Sequence, residues 1–180
     1  MRHEDPERLT EQVVASPPSP ADRDAYRSLV AVAAKTVALL STTSRGWDHV
    51  VPVTDFLSVS YDPPTMLVSV YGLSRVAEAL DESGRWALSV LASDQRSLAE
   101  RFHDPGGPLV GLLNNTPHHR TAPGEPVVID GCLAWFQLRT VTTHDAATHR
   151  LYVGKVVAMG RARPPGGRPL VRERGAFLRD

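Results

Sequence analysis

The chain has 180 residues, which suits one domain with a buried core. Its 20 basic residues balance 20 acidic ones and the pI is about 7.1, which excludes a general electrostatic grip on nucleic acid or an anionic membrane. A single cysteine, Cys132, excludes an internal disulfide framework, and no apolar run reaches the ~18–20 residues of a membrane span. The charged N-terminus has no apolar region behind it, so it does not read as a secretory signal and a cytoplasmic protein is expected.

Residues 1–20 end in Ser16-Pro-Pro-Ser-Pro20 and read as a flexible arm. Asp22 is placed to cap a helix running to about Ala34, with Ala25, Leu29, Val30, Val32 and Ala33 on its buried face. Thr36 to Thr42 reads as a strand, and Ser44 to Asp48 as its turn. A second strand is expected from Val50 to Tyr61. Pro52 cannot donate to a ladder, so this part belongs at an edge or a bulge. Asp62-Pro63-Pro64 ends it, and Met66 to Tyr71 forms a third strand.

Arg75 to Ser83 is predicted helical, with Ser74 as N-cap, Gly84 past the end, and Val76, Ala79 and Leu80 as its apolar stripe. Trp86 to Leu91 is a strand, and Ser93 or Asp94 caps a helix through Phe102. Residues 103–126 lack periodicity and read as a long functional loop or partner surface. Val127 to Val141 is predicted as one strand, with Cys132, Ala134, Phe136 and Leu138 on one face and Leu133, Trp135, Gln137 and Arg139 on the other. Leu151 to Met159 pairs with it, across a connection from Thr142 to Arg150. The sum is a mainly β, antiparallel, Greek-key-like barrel with short helices, spanning 21–171 and followed by a tail at 172–180.

Several blocks carry a family resemblance: Ser58-Val-Ser-Tyr-Asp-Pro-Pro64, Ser74-Arg75, Ser89-Val-Leu91, Asp130-Gly-Cys-Leu-Ala-Trp135 and His149-Arg-Leu-Tyr-Val-Gly154. In this order and spacing the chain resembles the flavin reductase-like family, whose fold is the FMN-binding split barrel. The resemblance covers about Tyr26 to Leu170. It implies an NAD(P)H:flavin oxidoreductase, with FMN or FAD as flavin and NADH or NADPH as hydride donor. It also implies a homodimer, and a monooxygenase component as the acceptor of reduced flavin. A flavin-binding electron-transfer or storage protein is the alternative, and a related split-barrel oxidase is a third reading.

The same resemblance assigns the site. Ser74 and Arg75 meet the flavin phosphate, where a helix N-terminus and a guanidinium suit a dianion. Ser58 and Ser60, on one side of their strand at period two, approach the ribityl chain with the Val59 backbone. Val53, Thr54 and Asp55 line the isoalloxazine edge. The family pattern there is glycine-x-threonine-x-serine-serine-phenylalanine, whereas this chain has Val50, Pro52 and Asp55 at the glycine, threonine and second serine. Asp55 either sets a carboxylate near the ring, disfavouring an anionic reduced flavin, or faces solvent or caps the backbone.

His149 matches the family histidine near the nicotinamide, with Thr148 where an acid often stands. The other reading of His149 is a strand-start residue satisfied by backbone. His118-His119 sit in a Pro/Gly loop, and no metal spacing is present. No Gly-x-Gly-x-x-Gly follows a strand, so no separate dinucleotide domain is expected. Leu133, Trp135 and the 103–126 loop either form an interface or are covered within the chain. Cys132 reads as a small core residue.

Overall fold

A computed structural model describes residues 14–103, 111–163 and 166–178. The first helix, α1, spans Pro20–Val30. Ser19, not Asp22, is its N-cap. Asp22 sits at N3, where its carboxylate accepts from the Ser19 N–H (2.9 Å) and its own N–H donates to Ser19 Oγ (3.1 Å). Pro20 at the first helical position fixes the start one turn earlier than expected. The helix also stops short of Ala34. Its expected inner face is not buried, since Leu29 is 71% exposed and Val32 is exposed as well.

Strands β1 (Lys35–Thr36), β2 (Ala38–Ser44) and β3 (Trp47–Val53) follow. Arg45 and Gly46 both have positive φ and close the β2–β3 hairpin in the two-residue form that matches strand twist. The strand expected over 50–61 is two strands, β3 and β4 (Phe56–Tyr61), separated by Thr54 and Asp55. Then come β5 (Pro64–Tyr71), α2 (Arg75–Ser83), β6 (Arg85–Val90) and a 3₁₀ turn at Ser93–Gln95 that runs into α3 (Arg96–His103). Helix α2 has the predicted bounds, with Ser74 as N-cap and Gly84 in the left-handed region as C-cap. The second predicted cap differs: Ala92 starts the 3₁₀ turn, and the Gln95 side chain accepts from its N–H (3.1 Å).

The remaining strands are β7 (His118–His119), β8 (Val128–Ile129), β9 (Ala134–Ala146), β10 (His149–Gly160), β11 (Val171–Glu173) and β12 (Ala176–Phe177). The single strand predicted over 127–141 is broken at Gly131, whose φ is +70°. The connection predicted over 142–150 is mostly strand, because β9 and β10 are separated only by Ala147 and Thr148. The boundary expected at 171 falls inside β11, and residues 171–178 return as a hairpin paired to β1.

Seven strands form one antiparallel sheet in the order β3-β2-β6-β9-β10-β5-β4. Its two edges, β3 and β4, are joined by two residues. Val53 and Phe56 are three Cα steps apart, about 11 Å at most, so the sheet must curl to bring these ends of its two edges close together. The Ser69 N–H donates to the Asp55 carbonyl (2.8 Å), which extends the β4–β5 ladder into the link. Pro52 lies on β3 and therefore on an edge, as its missing donor requires.

Inside the barrel, Leu40, Val68, Trp86, Leu138 and Tyr152 pack under Val76 and Leu80 of α2. Trp86 lies directly over Gly154, where a Cβ would come within 2.6 Å of Cζ2. A second core of Val37, Leu39, Leu91, Phe102, Ile129 and Leu170 lies on the other side of β2 and β6. Strand β2 thus separates the two cores, which is why Ala38 to Thr42 is buried on both faces. Cys132 is fully buried and burial pushes its thiol up to about 11, as suits a core residue. Leu133 and Trp135 are half-buried and covered within the chain by Gly167 and Gly160.

Candidate functional site

Three depressions hold Thr54, Asp55, Arg75 and His149, four of the nine sequence-predicted residues. The largest, about 590 Å³, opens at the barrel seam. Phe56, Leu57 and Leu67 give it apolar walls, and Thr36, Thr54 and Ser69 give it hydroxyls. Its charged residues are Lys35 and Asp55, whose side chains pair at 2.5 Å. The seam exists because β3 must end where β4 begins. The chain turns there at Thr54 and Asp55, and both face the opening.

A second depression, about 340 Å³, lies at the ends of β5 and β10. His149 and Tyr71 are register partners there, with ring centroids 6.0 Å apart in an edge-on arrangement. The Thr148 hydroxyl lies 3.1 Å from His149 Nδ1. Arg150 also lines this depression, but its guanidinium is held by Asp81 (2.6 Å) and Asp145 (2.7 Å). Strand β5 connects the two openings. Leu67, Ser69 and Tyr71 alternate outward along it while Met66, Val68 and Val70 turn inward. Ser69 and Tyr71 are two residues apart, about 7 Å.

The third depression, about 210 Å³, lies between α2 and the β2–β3 hairpin and is lined by Arg75, His49, Trp47, Glu78 and Glu82. Arg75 is exposed and makes no hydrogen bond or ion pair among the described residues. Its position one residue past the N-cap adds a free guanidinium to the positive end of α2. Ser74 Oγ accepts from the Ala77 N–H (3.2 Å) and donates to the Tyr71 carbonyl (2.6 Å). Its capping role is therefore direct. Glu82 accepts from Ser44 Oγ and pairs with Arg45, and these contacts, Ser44 first, hold its carboxyl below the usual range.

The β4 residues depart from expectation. The register shifts between Ser58 and Ser60, so Ser58 pairs with Met66 and Ser60 with Thr65. Those partners lie on opposite faces of β5, and the bulge at Val59 breaks the period-two relation between the two serines. Ser60 Oγ is engaged locally, donating to the Asp62 carbonyl (3.0 Å) and accepting from the Asp62 N–H (3.1 Å). Ser58 and Val59 are exposed, while Val53 is buried in the barrel core. Thr54 and Asp55 thus share the seam opening with Ser69, while Arg75 and His149 stand at separate openings on either side of the Tyr71–Ser74 turn. Sequence reasoning missed Lys35, 20 residues from its partner and one of two lysines in the chain. It also missed Tyr71, whose outward register follows from the alternation of β5.

The family model of the flavin reductase-like domain matches residues 31–179. The chain belongs to the flavin reductase-like domain family. The NADH-dependent FMN reductase SmoA of Agrobacterium fabrum is 32% identical, over 86% of this chain and 84% of that protein. The NADH-dependent flavin reductase StyB of Pseudomonas fluorescens is 30% identical, over 83% and 85%. The styrene monooxygenase flavin reductase of Pseudomonas putida S12 superposes with a TM-score of 0.74 at 28% identity, covering 85% of this chain and 95% of that one. The expected split-barrel fold and the expected flavin-reducing oxidoreductase are both borne out at this level. Among the described residues no helix is long and apolar enough to cross a membrane.

Proposed function

We propose that this chain is an NADH-dependent flavin reductase whose flavin lies at the barrel seam and whose reduced flavin passes to a monooxygenase component. The observation that carries the assignment of the site is the seam itself. A flat cofactor needs apolar walls and a polar rim, and Leu57 and Leu67 with Thr54 and Ser69 offer both. A bound flavin would supply the hydride-accepting chemistry, which belongs to the cofactor. The protein's part is to hold both rings, anchor the phosphate and limit water. In this reading Thr54 and Asp55 border the ring with the Val53 backbone, while the Val53 side chain stays in the barrel core. Ser58 and Val59 lie along the ribityl chain with the Ser60 backbone, the Ser60 hydroxyl being held by Asp62. Ser74 and Arg75 take the phosphate. His149, with Tyr71 beside it, meets the nicotinamide.

Arg150 supports NADH as the donor. It is the arginine lining the His149 depression, and two carboxylates already occupy it. Among the described residues a 2′-phosphate finds no free guanidinium in that depression, which favours NADH over NADPH, and the named activities of SmoA and StyB agree. A cytoplasmic location suits an activity that draws on NADH. For the homodimer, support comes from exposed apolar side chains on an edge strand and on the outer face of α1. Leu57, Val59 and Tyr61 are exposed on edge strand β4, Tyr61 at 91%, and Tyr26 and Leu29 are exposed on α1.

The test is a titration of the purified protein with FMN and with FAD, followed by NADH or NADPH oxidation. Flavin-dependent oxidation that prefers NADH is the expected result. A flavin that binds but is not reduced by either nicotinamide overturns the activity and leaves the electron-transfer or storage reading. Replacing Arg75 by alanine should weaken FMN binding by about 1–3 kcal/mol, the range for a hydrogen bond to a charged group. Unchanged affinity removes Arg75 from the site.

A further inference from the structure

We propose that the Lys35–Asp55 ion pair sets how strongly the seam distinguishes reduced from oxidised flavin, and so how readily the reduced product leaves. This rests on the reading that the flavin ring lies at the seam.

Among the described residues that line the seam cavity, Lys35 and Asp55 are the charged ones, and the rest are apolar or carry hydroxyls. The local field is therefore dominated by these two groups. Each is held in place through its backbone. Lys35 lies in β1, paired to Arg172 of β11, and the Asp55 carbonyl accepts from the Ser69 N–H at 2.8 Å. The ammonium and carboxylate then meet at 2.5 Å. Neither charge is sealed from water, since the side chains are 31% and 57% exposed. Both are thus close enough to act on a bound ring and accessible enough to be screened.

Two-electron reduction by hydride adds negative charge to the flavin, spread over the pyrimidine end of the ring. An uncompensated ammonium at the seam would hold the reduced form tightly and slow its release. An uncompensated carboxylate would oppose its formation. The pair leaves no net charge at the opening. Asp55 stands where the family pattern has a serine, so a carboxylate alone would have worked against reduction, and Lys35 cancels it. That cancellation matches a protein whose product must leave for a second component.

The experiment measures the affinity for oxidised FMN and, without oxygen, for reduced FMN, together with the midpoint potential of the bound flavin. It uses the full-length chain and the variants Lys35→Met, Asp55→Asn, Lys35→Arg and the Lys35→Met/Asp55→Asn double. A unit charge a few Å from the ring, partly screened, changes the reduced-to-oxidised affinity ratio by about tenfold. Lys35→Met should lower that ratio and the potential, and Asp55→Asn should raise both. The double variant and Lys35→Arg should stay within about threefold of the parent, below the single-charge effect. A merely structural role for the pair would move both affinities together and leave the ratio fixed. If oxidised FMN binds every variant and neither single variant moves the ratio, the inference is overturned while the seam reading stands. If FMN added to the parent protein gives no protection from hydrogen exchange at Thr54, Asp55 and Ser69, the seam reading falls and takes the inference with it.

Discussion

The two sides of this barrel are built on opposite principles. On the side of β6, β9 and β10 the large inward groups Trp86, Leu138 and Tyr152 are fully buried and satisfied. Trp86 lies against Gly154 and donates from Nε1 to Thr140 Oγ1 (3.1 Å). Tyr152 is fully buried, and its hydroxyl has the Asp81 carboxylate (2.9 Å) and the Ala77 carbonyl (3.0 Å) within reach. Burial first, and then the Asp81 contact, push its phenol well above the usual range, so it stays protonated at any working pH. On the seam side two edge strands meet through a two-residue link, a cavity opens, and an ion pair stands in partial contact with water. The difference teaches where each task is carried. The closed side fixes the barrel's shape, and the open side uses that shape to hold groups that a packed core would exclude.

The hardest way to break this division is at Gly154. A Cβ there would meet Trp86 at 2.6 and 3.0 Å and Leu138 at 3.1 Å, so a valine has no room without moving the central tryptophan. Gly154→Val should cost about 3 kcal/mol or more, at or beyond the upper end for overpacking. Denaturant unfolding checks it, and a variant as stable as the parent would show that Trp86 has another place to go. Tyr152→Phe is gentler. It removes one hydroxyl and leaves Asp81 paired with Arg150 (2.6 Å), so about 1 kcal/mol of stability should be lost. FMN affinity should not change. A fall in affinity without loss of stability would mean that the closed side reaches into the site.

The closed side was also the more legible in the sequence. Helix α2 could be read residue by residue because Ser74, Gly84 and the Val76, Ala79 and Leu80 stripe are local signals that agree. Strand β6 is likewise visible as a short apolar run, and the pairing of Leu151–Met159 with the strand before it is legible, although the connection between them is far shorter than expected. The seam was not, because its parts are distant in sequence. Nothing local says that β3 and β4 lie at opposite ends of one sheet, and the apolar run from Val50 to Tyr61 reads as one strand. The bulge at Val59 is equally silent, and it overturns the shared face assigned to Ser58 and Ser60. Asp55 departs from the family pattern, but its meaning depends on Lys35, which the β2–β3 register sets across from it by pairing Ala38 with Val53. Functional residues at such a junction are placed by topology, and a pattern of neighbours cannot show them.

Glu82 offers the smallest effect and the finest test of where the boundary between the two sides runs. It lies at the C-terminal end of α2 and reaches Ser44 and Arg45 of the β2–β3 hairpin, while Arg75 at the other end of the same helix opens onto the same depression. The Ser44 hydrogen bond, and then Arg45, lower its pKa in the folded chain. A group lowered in this way binds its proton more weakly folded than unfolded. Its contribution is therefore complete at neutral pH and is lost as pH falls through the folded value, below the ordinary carboxylate range. Because the contact is solvent-exposed, the loss should be small and should shrink further in salt. Comparing the denaturation midpoints of the parent and Glu82→Gln from neutral pH downward isolates it, since the difference should vanish in acid. If FMN affinity is the same in both proteins at neutral pH, the clamp serves only to hold α2 on the hairpin. A weaker FMN complex in Glu82→Gln would instead mean that the angle of α2, set by this clamp, decides how Arg75 meets the phosphate.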